Sequence, residues 1–421
     1  MCMKSLLYFG SLFVLVALPI IASKDSALAE DETSVIFSPT FAEFSGFISG
    51  EVSVFPEVGL PGGQDQAILS LAIEPEYYSE YGETSVLTIR PFYRVDSSDS
   101  HRTHGDIREF LLQSRFADWY VSLGLGKVFW GVAESKHLID IVNQTDLLEG
   151  PNGEAKLGQP MLQLSRSLSS GFLDLFIMPY FREREFPSRG GRFRDTILVE
   201  AAKSAYESKL EQWQPNVAAR YSTSFANWDL GLAQFYGTSR DPTFSLGLND
   251  DGVTVFVPTY ELITQSSVDV QYTSGVWLWK LEGLFRAGQR NILGSEKNYY
   301  SYVGGVERNI YGVGGTVADL GLLFEYMRDS RLDLAPDPLH HDVFFGARLG
   351  LNDEADTQAL LGVVQDIDDS TRQYFFEASQ RIFDGVKATL ELQVFSSVAA
   401  NDALRGLKDD DFVRIEVAYY Y

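Results

Sequence analysis

The stretch that decides the fold is Asp411-Phe412-Val413-Arg414-Ile415-Glu416-Val417-Ala418-Tyr419-Tyr420-Tyr421, with which the chain closes. Apolar residues alternate in it with a set of charged, small and aromatic residues, which is the period-2 pattern of a strand between two different environments. Such a strand closes a transmembrane β-barrel, because one face meets lipid and the aromatic end lies in the interfacial girdle. We therefore predict an all-β fold, a transmembrane antiparallel β-barrel in the cell outer membrane.

The first 29 residues have the pattern of a secretory signal peptide. Lys4 precedes an apolar stretch over residues 6–21, and Ala27-Leu28-Ala29 forms a cleavage site. We expect residues 1–29 to be removed and residues 30–421 to form the barrel domain. An uncleaved N-terminal anchor is the alternative, which the short and interrupted apolar stretch disfavours.

Composition excludes several classes of function. The chain has 34 Lys and Arg against 58 Asp and Glu, a net charge of -24, so a nucleic-acid partner is not expected. Cys2 is the only cysteine and precedes the predicted cleavage site, which excludes thiolate metal sites and cysteine nucleophiles from the mature chain. Mean hydropathy is -0.08, and beyond the signal no apolar run is long enough for a membrane helix, so any later crossing is made by strands.

Strand-like segments of about ten residues recur from Phe44 onward, joined by connections that alternate between long and short. Counting them predicts about 18 strands, within a range of 16–18, and an even number places both ends of the barrel on the periplasmic side. The segment 253–260 is either a strand within a loop or part of the barrel. Within the long connection 182–215, Asp195 is expected to cap a helix whose apolar face extends to Trp213.

Three segments carry a family resemblance. They are Gly126-Lys127-Val128-Phe129-Trp130-Gly131 followed by Asp140-Ile141-Val142-Asn143-Gln144-Thr145-Asp146, Asn227-Trp228-Asp229-Leu230-Gly231-Leu232 followed by Phe235-Tyr236-Gly237-Thr238-Ser239-Arg240-Asp241-Pro242, and Trp277-Leu278-Trp279-Lys280-Leu281-Glu282-Gly283. With them the chain resembles a family of porin-like outer-membrane β-barrels of Gram-negative bacteria, a domain of unknown function. The resemblance implies a fold and a location, and it brings no substrate or catalytic residue with it.

Charged residues recur on the strand faces that we predict to point inward. The pore-lining candidates are Arg90, Arg94, Arg115, Arg220, Lys280, Glu282, Arg286, Arg348, Arg414 and Glu416. A basic surplus on a wet wall would favour passage of anionic or polar solutes. The alternative is that these charges pair in a lattice that only stabilises the barrel.

The long connection 131–159 is a candidate constriction loop. Its carboxylates Glu134, Asp140, Asp146 and Glu149 stand among apolar residues, so the loop is too apolar to be freely solvated. We expect it to fold into the lumen with these carboxylates opposite the arginine wall. The alternative is a cap on the outer rim.

No catalytic residue, cofactor or metal is expected. All five histidines fall in predicted extracellular loops, so no strand supplies the histidine of a Ser-His dyad. His101 and His104 have a weakly specific metal-ligand spacing, and the acidic cluster of Asp366, Asp368 and Asp369 could hold Ca²⁺, although a solvated acidic rim is the plainer interpretation.

The sequence thus predicts a porin-like channel for passive passage or export of small polar or anionic solutes, and not an enzyme. A barrel with a plugged lumen, acting through its loops as a receptor or adhesin, is the alternative, and an outer-membrane hydrolase is a third. Expected partners are outer-membrane lipid and lipopolysaccharide, and the barrel-assembly machinery through the C-terminal strand. Association into a homo-oligomer is left open.

Overall fold

Residues that alternate between apolar and polar side chains build 18 antiparallel strands that close into one sheet. The structure is a computed structural model and describes residues 38–60, 63–296 and 298–421. The predicted signal peptide lies outside these residues. Each barrel strand pairs with the next in the chain and the last pairs with the first, so the sheet has no free edge. The predicted fold class and strand number are confirmed.

Elements are numbered in chain order. The barrel strands are β1 (Phe41–Val54), β2 (Ala67–Tyr81), β3 (Ser85–Asp96), β4 (His104–Phe116), β5 (Trp119–Gly126), β6 (Gln159–Leu168), β7 (Gly171–Met178), β9 (Asn216–Phe225), β10 (Trp228–Thr238), β13 (Leu262–Ser274), β14 (Trp277–Ala287), β15 (Tyr299–Ile310), β16 (Asp319–Asp329), β17 (His341–Gly350), β18 (Gln358–Asp366), β19 (Arg372–Phe383), β20 (Val386–Ser396) and β21 (Phe412–Tyr420). A small separate sheet contains β8 (Ala205–Tyr206), β11 (Thr243–Leu248) and β12 (Thr254–Tyr260).

In the part of the chain that the structure describes, the helical elements are short 3-10 turns at Ala201–Lys203, Glu211–Trp213, Val313–Gly315, Leu332–Leu334 and Ala403–Leu407. Among the described residues, no helix has both the length and the apolar character needed to cross a membrane.

Long and short connections lie at opposite ends of the barrel. At one end, the long-loop end, they contain 5 to 37 residues, and the longest are 127–158 and 179–215. At the other, the short-turn end, they contain 2 to 8 residues. Phe41 and Tyr420, where the first and last strands begin and end, both lie at the short-turn end, as an even strand number requires.

The two faces of the closing strand have the predicted environments. Ile415 and Val417 point outward and are 51% and 42% exposed, whereas Phe412 and Ala418 point inward and are buried. The strand pairs with β1 from Val54↔Val413 to Phe47↔Tyr420. Similar exposed apolar side chains on the other strands form the outward belt that a barrel presents to lipid.

Two strands end earlier than the sequence pattern suggests. β5 stops at Gly126 rather than near Trp130, and β7 stops at Met178 rather than near residue 182. Beyond β5 the chain turns into the lumen, where the Val128 N–H donates to Asn143 and Trp130 is buried.

The helix expected from Asp195 to Trp213 is wrong. The Asp195 carboxylate does accept the N–H of Ile197. Beyond that turn, however, the chain bonds to β12: the Phe256 N–H donates to the Leu198 carbonyl, and β8 pairs in parallel with β12. The apolar periodicity predicted a helix here, but the backbone makes its hydrogen bonds to a neighbouring strand instead. β12 covers nearly all of the segment 253–260, which is thus a loop strand.

Candidate functional site

Residues 127–158, which connect β5 to β6 and are here called the lumen segment, enter the barrel. Ile139, Ile141 and Val142 are at most 1% exposed. They belong to one apolar cluster with the inward side chains Met161, Phe176, Met178, Ala218, Ala233, Phe235 and Ile263. Each fully buried side chain of this kind contributes about 1.5–3 kcal/mol, which is why this stretch does not extend into solvent.

Glu282 on β14 holds the first part of the lumen segment. Its Oε1 accepts the backbone N–H groups of Val132 (2.6 Å) and Ala133 (2.9 Å), and its Oε2 accepts that of Ile139 (3.2 Å). Glu282 is fully buried, and these three donors compensate for its removal from water.

A second carboxylate on the same wall repeats this arrangement. Glu325 on β16 accepts the N–H groups of Glu134 and Ser135, both at 2.8 Å, and the hydroxyl of Ser135 at 2.5 Å. The Glu134 carboxylate in turn forms an ion pair with Arg348 on β17 at 2.5 Å. Three strands, β14, β16 and β17, therefore bind one end of the lumen segment.

The other end of the lumen segment is bound to β3 and β4. Asp146 lies 2.5 Å from Arg108, and Glu149 lies 2.7 Å from Arg94 and 3.5 Å from Arg108. Burial alone would raise the pKa of Glu149, but Arg94, Arg102 and Arg108 together lower it below its ordinary value. Glu149 therefore stays ionised in the lumen.

Glu51 on β1 is the centre of the charge cluster beneath this end. It forms ion pairs with Arg94 (3.2 Å), Arg102 (2.9 Å) and Arg414 (3.4 Å), and Arg414 also pairs with Glu391 (3.1 Å). The cluster joins the closing strand to the first strand and to the wall that holds the lumen segment.

Asp140 does not face the arginine wall, contrary to the sequence expectation. Its partners lie within the lumen segment itself: Lys156 is 3.2 Å away, and the Trp130 N–H donates to it at 3.3 Å. Burial raises the pKa of Asp140 despite the opposing effect of Lys156. Asp140 therefore joins two parts of the lumen segment to each other.

Most of the other pore-lining candidates are paired with a carboxylate. The pairs are Arg90 with Glu76 (2.6 Å) and Glu109 (3.7 Å), Arg220 with Asp269 (2.6 Å), Lys280 with Glu307 (3.2 Å), and Arg286 with Asp241 (3.3 Å). Arg115 lies near the short-turn end beside the Tyr120 ring, and Glu416 is half-buried directly opposite Glu51.

Arg108 was not predicted as an inward-facing residue. If side chains alternated strictly along β4 from the inward-facing Glu109, the Arg108 side chain would point outward. The pairing of β3 with β4 slips between Arg90 and Pro91, and this bulge directs both Arg108 and Glu109 inward. Pro91 was the available signal, since a proline inside a strand commonly marks a bulge. Arg102, in the connection after β3, carries no comparable signal.

Arg240, after the end of β10, was also missed as a site residue. It is 3% exposed and its guanidinium donates to the Val142 carbonyl twice, at 2.8 and 3.2 Å, and to the Thr238 carbonyl at 2.8 Å. The rings of Phe181 and Phe235 lie 5.3 and 5.2 Å from it. Backbone carbonyls and aromatic faces thus stabilise this cation and fix the middle of the lumen segment.

The sequence matches no protein-family model and no curated protein. Solved structures do resemble the fold. Wzi of Escherichia coli, an outer-membrane protein involved in group 1 capsule assembly and described as a carbohydrate-binding β-barrel, is 10% identical with a TM-score of 0.51 over 90% of this chain and 84% of its own.

Two further similar structures have lower scores. OmpT of Vibrio cholerae, an outer-membrane protein in its trimer form, is 11% identical over 90% of this chain and 99% of its own, with a TM-score of 0.46. A mutant of the Rh. blastica porin is 11% identical over 90% and 100%, with a TM-score of 0.43. With the closed 18-stranded sheet and its exposed apolar belt, the chain is an outer-membrane β-barrel.

Proposed function

We propose that the barrel is a channel for small polar solutes and that the lumen segment is its constriction. The observation that carries the proposal is that this segment is bound to two separate walls, β14–β17 at one end and β3–β4 at the other. A segment held at both ends inside the lumen narrows the space through which a solute can move. The proposal assigns the barrel no catalytic step.

The charges of the wall support polar solutes more strongly than anions. Arg94, Arg220 and Arg414 each pair with a carboxylate, so the basic surplus predicted from the sequence is largely neutralised locally. Ion pairs of this kind present dipoles to the lumen instead of net charge. A wall of this type discriminates between anionic and neutral solutes less than a ring of unpaired arginines would. We therefore propose weak selectivity among small hydrophilic solutes.

The alternative function, a plugged barrel that acts through its loops, has its own supporting observation. At the long-loop end, Arg192 pairs with Asp410 at 2.7 Å, and the rings of Phe55, Phe193 and Phe412 lie within 5.2–5.8 Å of one another. Contacts of this density tie the connection 179–215 to other loops and restrict access from that end.

Single-channel recording in planar bilayers tests the proposal. The refolded mature chain should give small, steady conductance steps. Deleting residues 135–150 should increase the step several-fold, because it removes Ile139, Ile141 and both acidic contacts with β3 and β4. A control deletion of residues 249–252, the exposed tip of the β11–β12 hairpin, should leave the step unchanged.

Two results would contradict a constriction role. Equal conductance of the wild type and the 135–150 deletion would show that the segment does not narrow the path. Absence of steady conductance in both proteins, with the folded state verified by a heat-dependent shift in gel mobility, would favour the plugged barrel.

The membrane-facing surface suggests a homo-oligomer. Gln234 on β10 and Ser266 on β13 point outward, are exposed, and are direct register partners. The Ser266 hydroxyl donates to Gln234 Oε1 at 2.6 Å, and among the described residues no partner binds the amide NH₂ group. A polar amide facing lipid is costly. We propose that a second copy of the chain covers this patch. Lipid and lipopolysaccharide would contact the rest of the apolar belt, and the closing strand would bind the barrel-assembly machinery.

A further inference from the structure

A cluster of histidine and aspartate side chains lies at the long-loop end where β17 and β18 meet. His340 precedes β17, Asp342 is its second residue, and Asp366 is the last residue of β18. One ligand atom from each of the three lies within 4.8 Å of the others. Asp333 and Asp368 adjoin the same cluster through His340.

Burial distinguishes this cluster from a solvated acidic rim. Asp342 and Asp366 are 3% and 4% exposed, and they are direct partners in the antiparallel pairing of β17 with β18. The solvated interpretation drawn from the sequence is therefore wrong for Asp366. Two carboxylates directly opposite each other on one face of a sheet repel, and burial strengthens the repulsion.

Within the described chain, no arginine or lysine forms an ion pair with either aspartate. Buried carboxylates elsewhere in the lumen, such as Glu51 and Asp269, have arginine partners. Lys136, which acts on Asp342 electrostatically, instead binds Asp337 at 2.9 Å and the Leu339 carbonyl at 2.8 Å.

The hydrogen bonds of the two aspartates are few and local. Asp366 accepts the N–H groups of Asp368 and Asp369 through Oδ1, whereas Asp342 accepts only the N–H of its neighbour His341, through Oδ2. Each aspartate therefore has one oxygen without a hydrogen-bond donor among the described residues. The charge of the pair is therefore not balanced by any ion pair with an arginine or lysine of the described residues.

His340 is oriented as metal-bound histidines usually are. Its Nδ1 lies 3.2 Å from the Pro338 carbonyl oxygen, and because a carbonyl only accepts, Nδ1 carries the hydrogen. Nε2 is then the nitrogen left to bind a metal, and a backbone carbonyl that fixes the ring in this way is a common feature around metal sites. Nε2 lies 3.5 Å from the exposed carboxylate of Asp333, so the cluster is open to solvent on that side.

We propose that His340, Asp342 and Asp366 form a binding site for a first-row divalent transition metal of the Zn²⁺ class. One imidazole and two carboxylates suit Zn²⁺ better than Ca²⁺ or Mg²⁺, which prefer oxygen ligands alone. Two ligand atoms that each bind a metal at about 2.1 Å lie at most about 4.2 Å apart. The three ligand atoms here lie within 4.8 Å of one another, so small side-chain rotations would bring them to binding distance. The bound cation would neutralise the two aspartates and link the loop before β17 to the end of β18.

Titration calorimetry of the refolded full barrel in detergent with ZnCl₂ tests the site. We expect one equivalent of Zn²⁺ to bind, and Asp342→Asn and His340→Gln each to weaken binding about tenfold or more. His101→Gln is the matched control, since His101 bonds to the Phe186 carbonyl away from the cluster, and it should bind as the wild type does. A heat-dependent gel shift verifies that each variant is folded.

A second measurement needs no variant. Zn²⁺ should protect the peptide that contains His340 from modification by diethylpyrocarbonate, whereas Ca²⁺ at the same concentration should not. Absence of Zn²⁺ binding by the wild type, unchanged binding in the folded Asp342→Asn variant, or equal labelling with and without Zn²⁺ would overturn the proposal.

Discussion

Single buried polar residues determine where the lumen segment lies, and Arg240 illustrates how. Three of its four hydrogen bonds go to the main-chain carbonyls of Val142 and Thr238, and the fourth goes to Met178 Sδ at 3.6 Å. The interaction therefore depends mainly on the backbone position of its partners. Removing the arginine side chain would leave the buried carbonyls without donors. The resulting loss of folding free energy exceeds what the hydrogen bonds themselves contributed.

Replacing Arg240 with methionine should therefore destabilise the folded barrel by about 2–4 kcal/mol, because two buried carbonyls lose their donors. Urea unfolding of the refolded protein, followed by tryptophan fluorescence, measures the change. Arg405→Met, at a partly exposed 3-10 turn, is the control and should shift the midpoint little. A midpoint for Arg240→Met equal to that of the control would show that Arg240 does not hold the segment.

A pH dependence is expected from Glu261, between β12 and β13. Burial raises its pKa to about 7, although the Thr243 hydroxyl, which donates to it, acts in the opposite direction. Because the folded-state pKa lies above the unfolded value of 4.5, the folded state binds the proton more tightly. Its contribution to stability is therefore fully present below pH 4.5 and is lost as the pH rises through 7.

Glu261→Gln should remove this dependence, since glutamine stays neutral. Unfolding free energies of wild type and variant should run parallel at low pH and diverge between pH 5 and 8, with the wild type losing at most about 3 kcal/mol relative to the variant. Parallel curves over the whole range would contradict the assignment of this titration to Glu261.

At the scale of elements, strands in which apolar and polar residues alternate regularly could be predicted from the sequence. Where the pairing is irregular, part of the site was not predicted. The closing strand and β14 alternate strictly, and their faces lie as expected. The bulge at Pro91 reversed the expected direction of Arg108, and pairing with β12 replaced the helix expected after Asp195. The sequence predicted that Glu134 and Glu149 face the arginine wall, but not that Glu149 pairs with Arg94 and Glu134 with Arg348. Those pairs depend on how a loop distant in sequence enters the lumen.

Removing Tyr419 to Tyr421 should prevent assembly in the outer membrane, because it removes the pairs of Ile48 and Phe47 and exposes the edge of β1. We expect the truncated chain to accumulate in the periplasm, as measured by fractionation and by a gel shift on heating. Removal of Ala400 to Asp402, in the last long-loop connection, is the control and should leave assembly intact. Normal outer-membrane levels of the truncated chain would show that the terminal aromatic residues are dispensable.

For the whole molecule, the polar patch of Gln234 and Ser266 leads to a prediction about association. Gln234→Leu should shift the refolded protein from oligomer toward monomer, because it removes the amide that a second copy would satisfy. Light scattering coupled to gel filtration in detergent measures the mass. Ile48→Leu, at an outward position on β1, should leave it unchanged. A monomeric wild type, or an oligomer unaffected by Gln234→Leu, would argue against this interface.

The attachment of the lumen segment constrains the order of folding. Its contacts with Glu282 and Glu325 join residues 150 and 191 positions apart, and the pair of Glu134 with Arg348 spans 214 positions. Contacts at such separations form late and slowly. The segment therefore has no complete binding site until β14, β16 and β17 have formed. A chain stalled before these strands pair would leave the apolar residues Ile139, Ile141 and Val142 exposed to aggregation and proteolysis.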